Sequence, residues 1–457
     1  MQSELSRRAF LQTVGLALGG AALAACGATP TATPKPAATA TKAPAAQPTA
    51  VPAAKGPLEL RIGWWGNITR NKLYDAICDL WQKRNPNITL VRENAGWSDY
   101  WTKVATQAAG KNLPDITASV IDTLAEYGQR GAYLAMDPFI EKGTIDTSDW
   151  PKSIMDAFKV DGKVFMMPTG ITVNVLMINV DMIKRASMEP PKFETSFQEL
   201  ATFCRALQAK LPKGVYAIND GGATQEHFQS WVVQKGYQIA NEKATDVGFP
   251  KEVLIDFHKY WMDLYKAGCV LPIEIYSQPV ADMWADDWFT KGQHAMRFTN
   301  SNQLKGFQQY NKDDLIIIRN PAMPDGKSKW GDYMRPSALS IASNTKYPDE
   351  VARFINFFVN DMEAIKIFNL ELGAIGPTKA AQEMMKTVHP KDVLVLKHFE
   401  EYAKSAPYKM IDPKGTSAVL TAQRRASDAI RFGTPIEQAV DTFMKEAKEA
   451  YKVNITS

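Results

Sequence analysis

From Leu58 onward, short apolar runs alternate with longer stretches in which apolar side chains recur every third or fourth position. The run LELRIGWW, Leu58–Trp65, predicts a strand, and alternation along it sends Trp64 and Trp65 to opposite faces. Leu73, Ile77, Leu80 and Trp81 then mark one face of a helix. ITLVREN predicts the next strand, SDYWTKVATQAAG a helix that Gly110 stops, DITASVI a third strand, and LAEYGQRG another helix. This βαβαβ order implies right-handed crossovers and a parallel sheet. A second run begins near Val173: VNVLMI is a strand, and Ser196 with Glu199 in SFQE has the form of a capping box opening a helix. VYAIND, HAMRFT, LIIIRN and SALSIA (Ser337–Ala342) predict further strands with helices between them, and helical periodicity dominates thereafter. A folded part of about 400 residues is too long for a single core. The pattern therefore predicts two α/β lobes joined by several crossings.

The segment ahead of Leu58 is of another kind. Arg7 and Arg8 precede the apolar stretch Val14–Ala25, which is shorter than the about twenty residues a bilayer requires. It reads as a cleaved export signal, residues 1–25. SRRAFL (Ser6–Leu11) resembles the twin-arginine export motif, and LAAC (Leu23–Cys26) resembles a bacterial lipoprotein cleavage box, which implies lipidation of Cys26. Ala28–Lys55 has no aromatic residue, no acid and many prolines, a composition that cannot bury enough surface to fold. Residues 26–56 are expected to be a lipidated tether, reaching roughly 90 Å at ~3.1 Å per residue when extended. Arg7, Arg8, Lys35, Lys42 and Lys55 face the single acid Glu4, so the formal net charge of +4 belongs to this leader and tether. The remainder is neutral, which argues against a nucleic-acid partner. Cys78, Cys204 and Cys269 read as reduced packing residues, with one disulfide left open.

Four longer stretches carry a resemblance. LPDITASVIDTLAEYGQRGAYLAMD, DGKVFMMPTGITVNVLMINVDMIKRASMEPPKFETSFQEL, TKGQHAMRFTNSNQLKG and SALSIASNTKYPDEVARFINFFVND occur in the order and spacing found in family 1 extracellular solute-binding proteins of bacterial ABC importers. The chain from about residue 58 to 457 is similar to that family, which includes maltose-type and oligosaccharide-type binding proteins. The resemblance implies an α/β, two-lobe periplasmic-binding-protein-like fold (type II), each lobe a mainly parallel sheet flanked by helices. It also implies an extracytoplasmic, lipid-anchored monomer that closes over a carbohydrate and presents it to ABC permease subunits, without a cofactor. Expected boundaries are 57–170 with 336–380 for the N-terminal lobe and 171–335 with 381–457 for the C-terminal lobe. Hinges are expected near Thr169–Val173, near Tyr333–Pro336 and around Gly376. A non-sugar solute (a polyol, a glycerol phosphate or a peptide) is the alternative ligand class.

Candidate ligand contacts follow from where strands end. In open parallel α/β sheets, ligands sit beyond the carboxyl ends of the strands. There the sequence places Trp65, Trp97, Trp101 and Asp122. A pyranose ring has an apolar C–H face that an indole can cover and an equator of hydroxyls that carboxylates and amides can satisfy. Covering the sheet would account for these tryptophans as well; Trp65 is the favoured contact because Gly66 leaves the backbone beside it open. Asn67 and Arg70 could donate to hydroxyls, although a helix first turn explains both. On the resemblance, Thr172 and Asn174 occupy a hinge segment that touches sugar in family members, and Trp231 sits where relatives supply an aromatic. Asn300 and Asn302 lie in FTNSN, where relatives often read Gly-Pro-Trp, so an amide replaces an expected stacking ring. Arg335 is placed to reach the cleft or to pair with an acid. Trp284 and Trp288, one helical turn apart, suit packing.

Nothing in the chain matches the motifs of nucleophilic, metal or phosphate chemistry: GxSxG, HExxH, GxGxxG, paired CxxC and the phosphate loop are all missing. His227, His258, His294, His389 and His398 never fall at i, i+4 ligand spacing. Asp282, Asp286 and Asp287 read as a solvated helical face. No catalytic residue and no metal site are expected, and a secreted carbohydrate-active enzyme is the weaker alternative.

Overall fold

Strand β1 (Leu58–Trp65) is the pivot of the first lobe, with β2 (Ile88–Ala95) and β3 (Ile116–Val120) parallel to it on either side. The structure, a computed structural model, describes residues 56–128, 130–157, 159–278, 284–327, 334–403 and 412–454, all within one compact unit. The leader, Cys26 and the tether lie outside the described residues, as do Asp282 and Tyr333.

Two short hairpin strands, β4 (Lys159–Val160) and β5 (Lys163–Val164), lead into β6 (Met167–Asn179), every residue of which is buried. The second lobe adds β7 (Tyr216–Ile218), a small ribbon of β8 (Gln238–Ala240) and β9 (Val247–Gly248), then β10 (His294–Asn300) and β11 (Leu315–Arg319). β12 (Met334–Ile341) returns to the first lobe. One eight-stranded sheet results, in the order β2-β1-β3-β12-β6-β10-β7, with β11 also on β6.

The expected α/β two-lobe fold is present. Pairing is parallel among β2, β1 and β3 and between β10 and β7. The crossing strands run the other way: β12 is antiparallel to β3 and β6, and β6 is antiparallel to β10 and β11. A chain that leaves one lobe and returns must reverse its direction, so the crossings impose this mixture.

β6 is longer than its apolar run suggests because it serves both lobes. Met167–Val173 pairs with β12, whereas Asn174–Asn179 pairs with β10 and β11. Its side chains divide as the pleat requires. Ile171, Val173, Val175 and Met177 join the core that surrounds β1, and Leu176 and Ile178 join the second core around Phe228, Phe257 and Trp261. Thr169 has no partner in the β12 register, a bulge that bends the strand where the first hinge is expected. A third crossing passes here as well, Ala374 bridging Ile171. Gly373, at φ +111°, leaves no room for a side chain: a Cβ there would sit 2.4 Å from the Ile171 carbonyl oxygen.

Ser196 and Glu199 form the expected capping box on the helix Phe197–Gln208. Residues 284–293 form turns rather than the helix expected around Trp284 and Trp288. Asp287 pairs with Arg297 at 2.6 Å there. Cys78, Cys204 and Cys269 are buried free thiols, and burial pushes the Cys78 thiol up to about 12. No helix among the described residues is long and apolar enough to cross a membrane.

Candidate functional site

The helix Trp97–Ala109 begins directly after β2, at the carboxyl end of the parallel strands. Tyr100 pins it down: its hydroxyl donates to the Ala118 carbonyl at 2.7 Å, at the heart of the first lobe. With Tyr100 turned inward, Trp97 is left outward, 54% exposed, and Trp101 partly so. Trp65 lies beneath them, only 6% exposed, its ring 5.3 Å from Trp97 and 5.6 Å from Trp101. Trp64, on the opposite face of β1, is fully buried against Tyr74 and donates its indole N–H to Asn71 Oδ1 at 2.9 Å.

Trp97 and Trp101 form one wall of a cavity of about 440 Å³ between the lobes, with Thr123 and Tyr127 beside them. The helix Gln225–Gln234 and the loop from Asp412 into the helix Thr416–Arg431 form the facing wall. Gln225, Glu226 and Gln229 line it from the helix, Asp412 and Lys414 from the loop, and Ser417 from the first turn of the helix that follows. The Gln229 amide donates to Asp412 Oδ2 at 3.4 Å. Gly415, at φ +91°, turns the loop against the C-terminal helix, where a Cβ would meet the Ala450 carbonyl oxygen at 2.5 Å. Thr416 is thereby seated against the Tyr451 hydroxyl at 3.1 Å.

Of the crossing strands, β12 supplies the floor. Arg335 on β12 lines the cavity and pairs with Glu226. It sits opposite Thr172 on β6, whose hydroxyl donates to the Arg335 carbonyl at 3.2 Å. Asn174 follows two positions along the same face and is in register with Asn300. Asn174 is 2% exposed, and neither atom of its amide has a hydrogen-bond partner; Asn300 Oδ1 has none either. Such groups in a buried setting cost free energy until something pairs with them.

The remaining candidates are distributed otherwise. Trp65 does not reach the cavity; it is the base on which Trp97 and Trp101 rest, so the open backbone at Gly66 gives no contact. Arg70 fills that opening instead, its side-chain carbons within about 3 Å of where a Gly66 Cβ would be. Asn67 caps the helix Ile68–Arg84, accepting from the Arg70 N–H at 3.0 Å, and the Arg70 guanidinium pairs with Glu371 at 3.0 Å. Asn302 donates to the Glu371 carbonyl at 3.3 Å. Trp231 is 6% exposed and packs among Phe197, Phe257 and Tyr260 in the second core, as its helical spacing to Phe228 permitted. Asp122 falls in the helix Ile121–Gly128 rather than at a strand end, and its side chain lies outside the described residues. Among the described residues no group of His, Cys, Asp and Glu is arranged to hold a metal. His227, next to Glu226 in sequence, is pushed by burial down to about 3 and is neutral.

Glu226, Gln229 and Asp412 were missed by sequence reasoning. Gln225 and Gln229 stand one turn apart on a mostly buried helix, which is the signal that could have found them. Asp412 is brought in by packing from far along the chain and leaves no local trace.

A model of the bacterial extracellular solute-binding protein family matches residues 76–394. The maltodextrin-binding protein of Bacillus subtilis (strain 168) is 21% identical over 357 residues, 74% of this chain and 79% of that protein. Among solved structures, a family 1 extracellular solute-binding protein from Alicyclobacillus acidocaldarius is 24% identical with a TM-score of 0.70, covering 88% of this chain and 100% of the other. A periplasmic oligogalacturonide-binding protein from Yersinia enterocolitica, in complex with saturated digalacturonic acid, is 20% identical with a TM-score of 0.75, covering 87% and 100%. At these identities the structural likeness speaks for the fold, and the family match for what kind of protein carries it: the chain belongs to the bacterial extracellular solute-binding proteins.

Proposed function

We propose that this protein is the membrane-tethered binding component of an ABC importer, which captures a carbohydrate between its lobes and delivers it to the permease. The observation that carries this reading is the pairing of two walls. Trp97 and Trp101 offer indole surface on one side of the cavity, Glu226, Gln229 and Asp412 offer hydrogen-bonding groups on the other, and Arg335 adds its guanidinium at the floor between them. A ring with apolar faces and a polar equator asks for both. The sugar-binding relatives named above support the ligand class, and LAAC with the Ala/Thr/Pro segment supports the anchor at Cys26.

The lobe boundaries at residues 170/171 and 335/336, and the hinge at the crossings, belong to the same proposal. Thr172, Asn174 and Asn300 do not line the cavity itself; Thr172 and Asn174 stand beside Arg335 on the crossing strands, with Asn300 in register with Asn174, and in this reading they are contacts that a bound ligand would complete. Asn67, Arg70, Asn302 and Trp231 are structural in this reading.

The test is a thermal-shift screen of the protein lacking residues 1–55, over neutral oligosaccharides, uronate oligosaccharides, polyols and sugar phosphates. A ligand at 100 times its Kd stabilises the native state by about 2.7 kcal/mol. A shift with polyols or sugar phosphates but with no saccharide would replace the carbohydrate reading.

A further inference from the structure

The cleft wall that faces the tryptophans is made of two segments of the second lobe, and they are tied to each other at three points in antiparallel order. At the cavity, the Gln229 amide donates to Asp412 Oδ2 at 3.4 Å. Farther back, the Gln423 amide donates to the Gly222 carbonyl at 2.9 Å. At the far end of the helix Thr416–Arg431, the Arg431 guanidinium donates twice to the Asp220 carboxylate, Nε to Oδ2 at 2.8 Å and Nη2 to Oδ1 at 2.9 Å. From Leu420, the last residue of this helix in the cavity lining, to Arg431 the helix rises roughly 16 Å at ~1.5 Å per residue. Arg431 and Asp220 are both buried, and neither lines the cavity.

Asp220 also shapes the turn from which the other segment starts. Its Oδ1 accepts from the Gly222 N–H at 2.8 Å, and its carbonyl accepts from the Thr224 hydroxyl at 3.2 Å. The short turn Gly221–Ala223 then opens into the helix Gln225–Gln234, which carries Gln225, Glu226 and Gln229 to the cavity. The turn is closely packed: a Cβ on Gly221 would lie 2.2 Å from the Trp261 ring, and one on Gly222 2.8 Å from Arg431 Nη2. A buried ion pair is weak evidence for stability, because well-packed apolar residues of similar volume often do as well. Its distinctive contribution is direction. Two parallel bonds between a planar guanidinium and a carboxylate fix distance and rotation together.

We infer that Arg431 and Asp220 are positioning residues for the binding site, setting from behind the wall the register of the helix Gln225–Gln234 against the helix Thr416–Arg431. Gln225, Glu226 and Gln229 are thereby held at a fixed spacing from Thr416, Ser417 and Leu420. A ligand then meets a wall already in place, and less of its binding free energy goes into ordering that wall. This rests on the carbohydrate reading above and deepens it.

The test separates stability from affinity. Arg431→Met leaves the Asp220 carboxylate buried without its partner and should lower the melting temperature markedly. Asp220→Asn/Arg431→Met removes both charges, keeps an oxygen for the Gly222 N–H, and should return the melting temperature to near the wild-type value. Isothermal titration with maltotriose and with trigalacturonic acid should nevertheless show the double variant binding at least tenfold more weakly than wild type. Without ligand, its amide hydrogen exchange should quicken over residues 221–234 and 412–423. Arg425→Met, which removes an exposed pair with Glu446 on the same helix, should keep the wild-type affinity. A double variant that melts like wild type and binds or exchanges like it overturns the inference and leaves the carbohydrate reading standing. One no more stable than Arg431→Met overturns it as well, because the pair then acts on the fold. Failure of the wild type to bind either trisaccharide overturns the carbohydrate reading and the inference that rests on it.

Discussion

Trp65 and Trp97 meet edge to face, their ring centroids 5.3 Å apart and their planes at 90°, one indole buried and the other more than half exposed. The contact divides labour within a single aromatic cluster. Trp97→Ala should weaken saccharide binding by tenfold or more, about 1.4 kcal/mol, and leave the apo melting temperature nearly unchanged. Trp65→Ala empties a core site and should cost about 3–5 kcal/mol of stability, lowering affinity only through the loosened platform. Titration and thermal denaturation of the two variants check this together. An apo Trp65→Ala as stable as wild type would put Trp65 in the site rather than under it.

Closure is expected to be visible in solution. A ligand that touches both walls binds the closed form better and shifts the equilibrium by that difference in affinity alone. Saturating ligand should reduce the radius of gyration in small-angle scattering and change tryptophan fluorescence, both ending at one equivalent. Gly373→Val places a side chain against the Ile171 carbonyl and should damp both changes. A wild-type scattering profile that ignores saturating ligand would remove the clamp mechanism.

Anchoring is tested at one atom. Cys26→Ala removes the sulfur that the lipoprotein reading requires, so the protein should leave the membrane fraction while the folded part keeps its affinity. Fractionation of the two forms decides the matter, and a variant that stays with the membrane speaks against lipidation.

Acid should destabilise the protein earlier than its carboxylates alone would dictate. Burial pushes His227 and His258 down to about 3 and His294 to about 4, against about 6.5 in an unfolded chain. The folded pKa is depressed, so below pH 6.5 the unfolded chain binds protons that the folded chain refuses. Stability is full above that pH and falls as pH falls, by up to about 1.4 kcal/mol per pH unit for each histidine. His258, whose ring nitrogens have no partner, is the cleanest probe. His258→Leu should flatten the dependence of unfolding free energy on pH between 6.5 and 5.5, as measured by urea titration. An unchanged slope would mean that His258 is protonated in the folded state.

Much of the architecture was legible because it is written locally. The apolar run at Leu58–Trp65, the capping box at Ser196 and the order of elements each rest on neighbours in sequence. The site was less legible because it is assembled from distant segments. Alternation correctly separated Trp64 from Trp65, but which of two faces ends as solvent is decided by the helix that lies over it. Tyr100 fixes that helix so that Trp97, not Trp65, looks outward. Asn67 and Arg70 satisfied local needs, a cap and an ion pair with Glu371, that outweighed any pull toward the cleft. Glu226 and Arg335 meet only because two crossings bring helix and strand together, and no window of sequence contains both.

The shared strand β6 also sets a schedule for synthesis. Its first half waits for β12 and for Ala374, and its second half for β10 and β11, so neither core can close around it when it leaves the ribosome. At about 5–20 residues per second, roughly 10–40 s separate Asn179 from Ala374. Within that interval the partners of these thirteen buried residues arrive one segment at a time, β10 first and Ala374 last. Until its last third has been made, such a nascent chain keeps apolar surface and unpaired strand edges open, the condition in which a holding chaperone is useful.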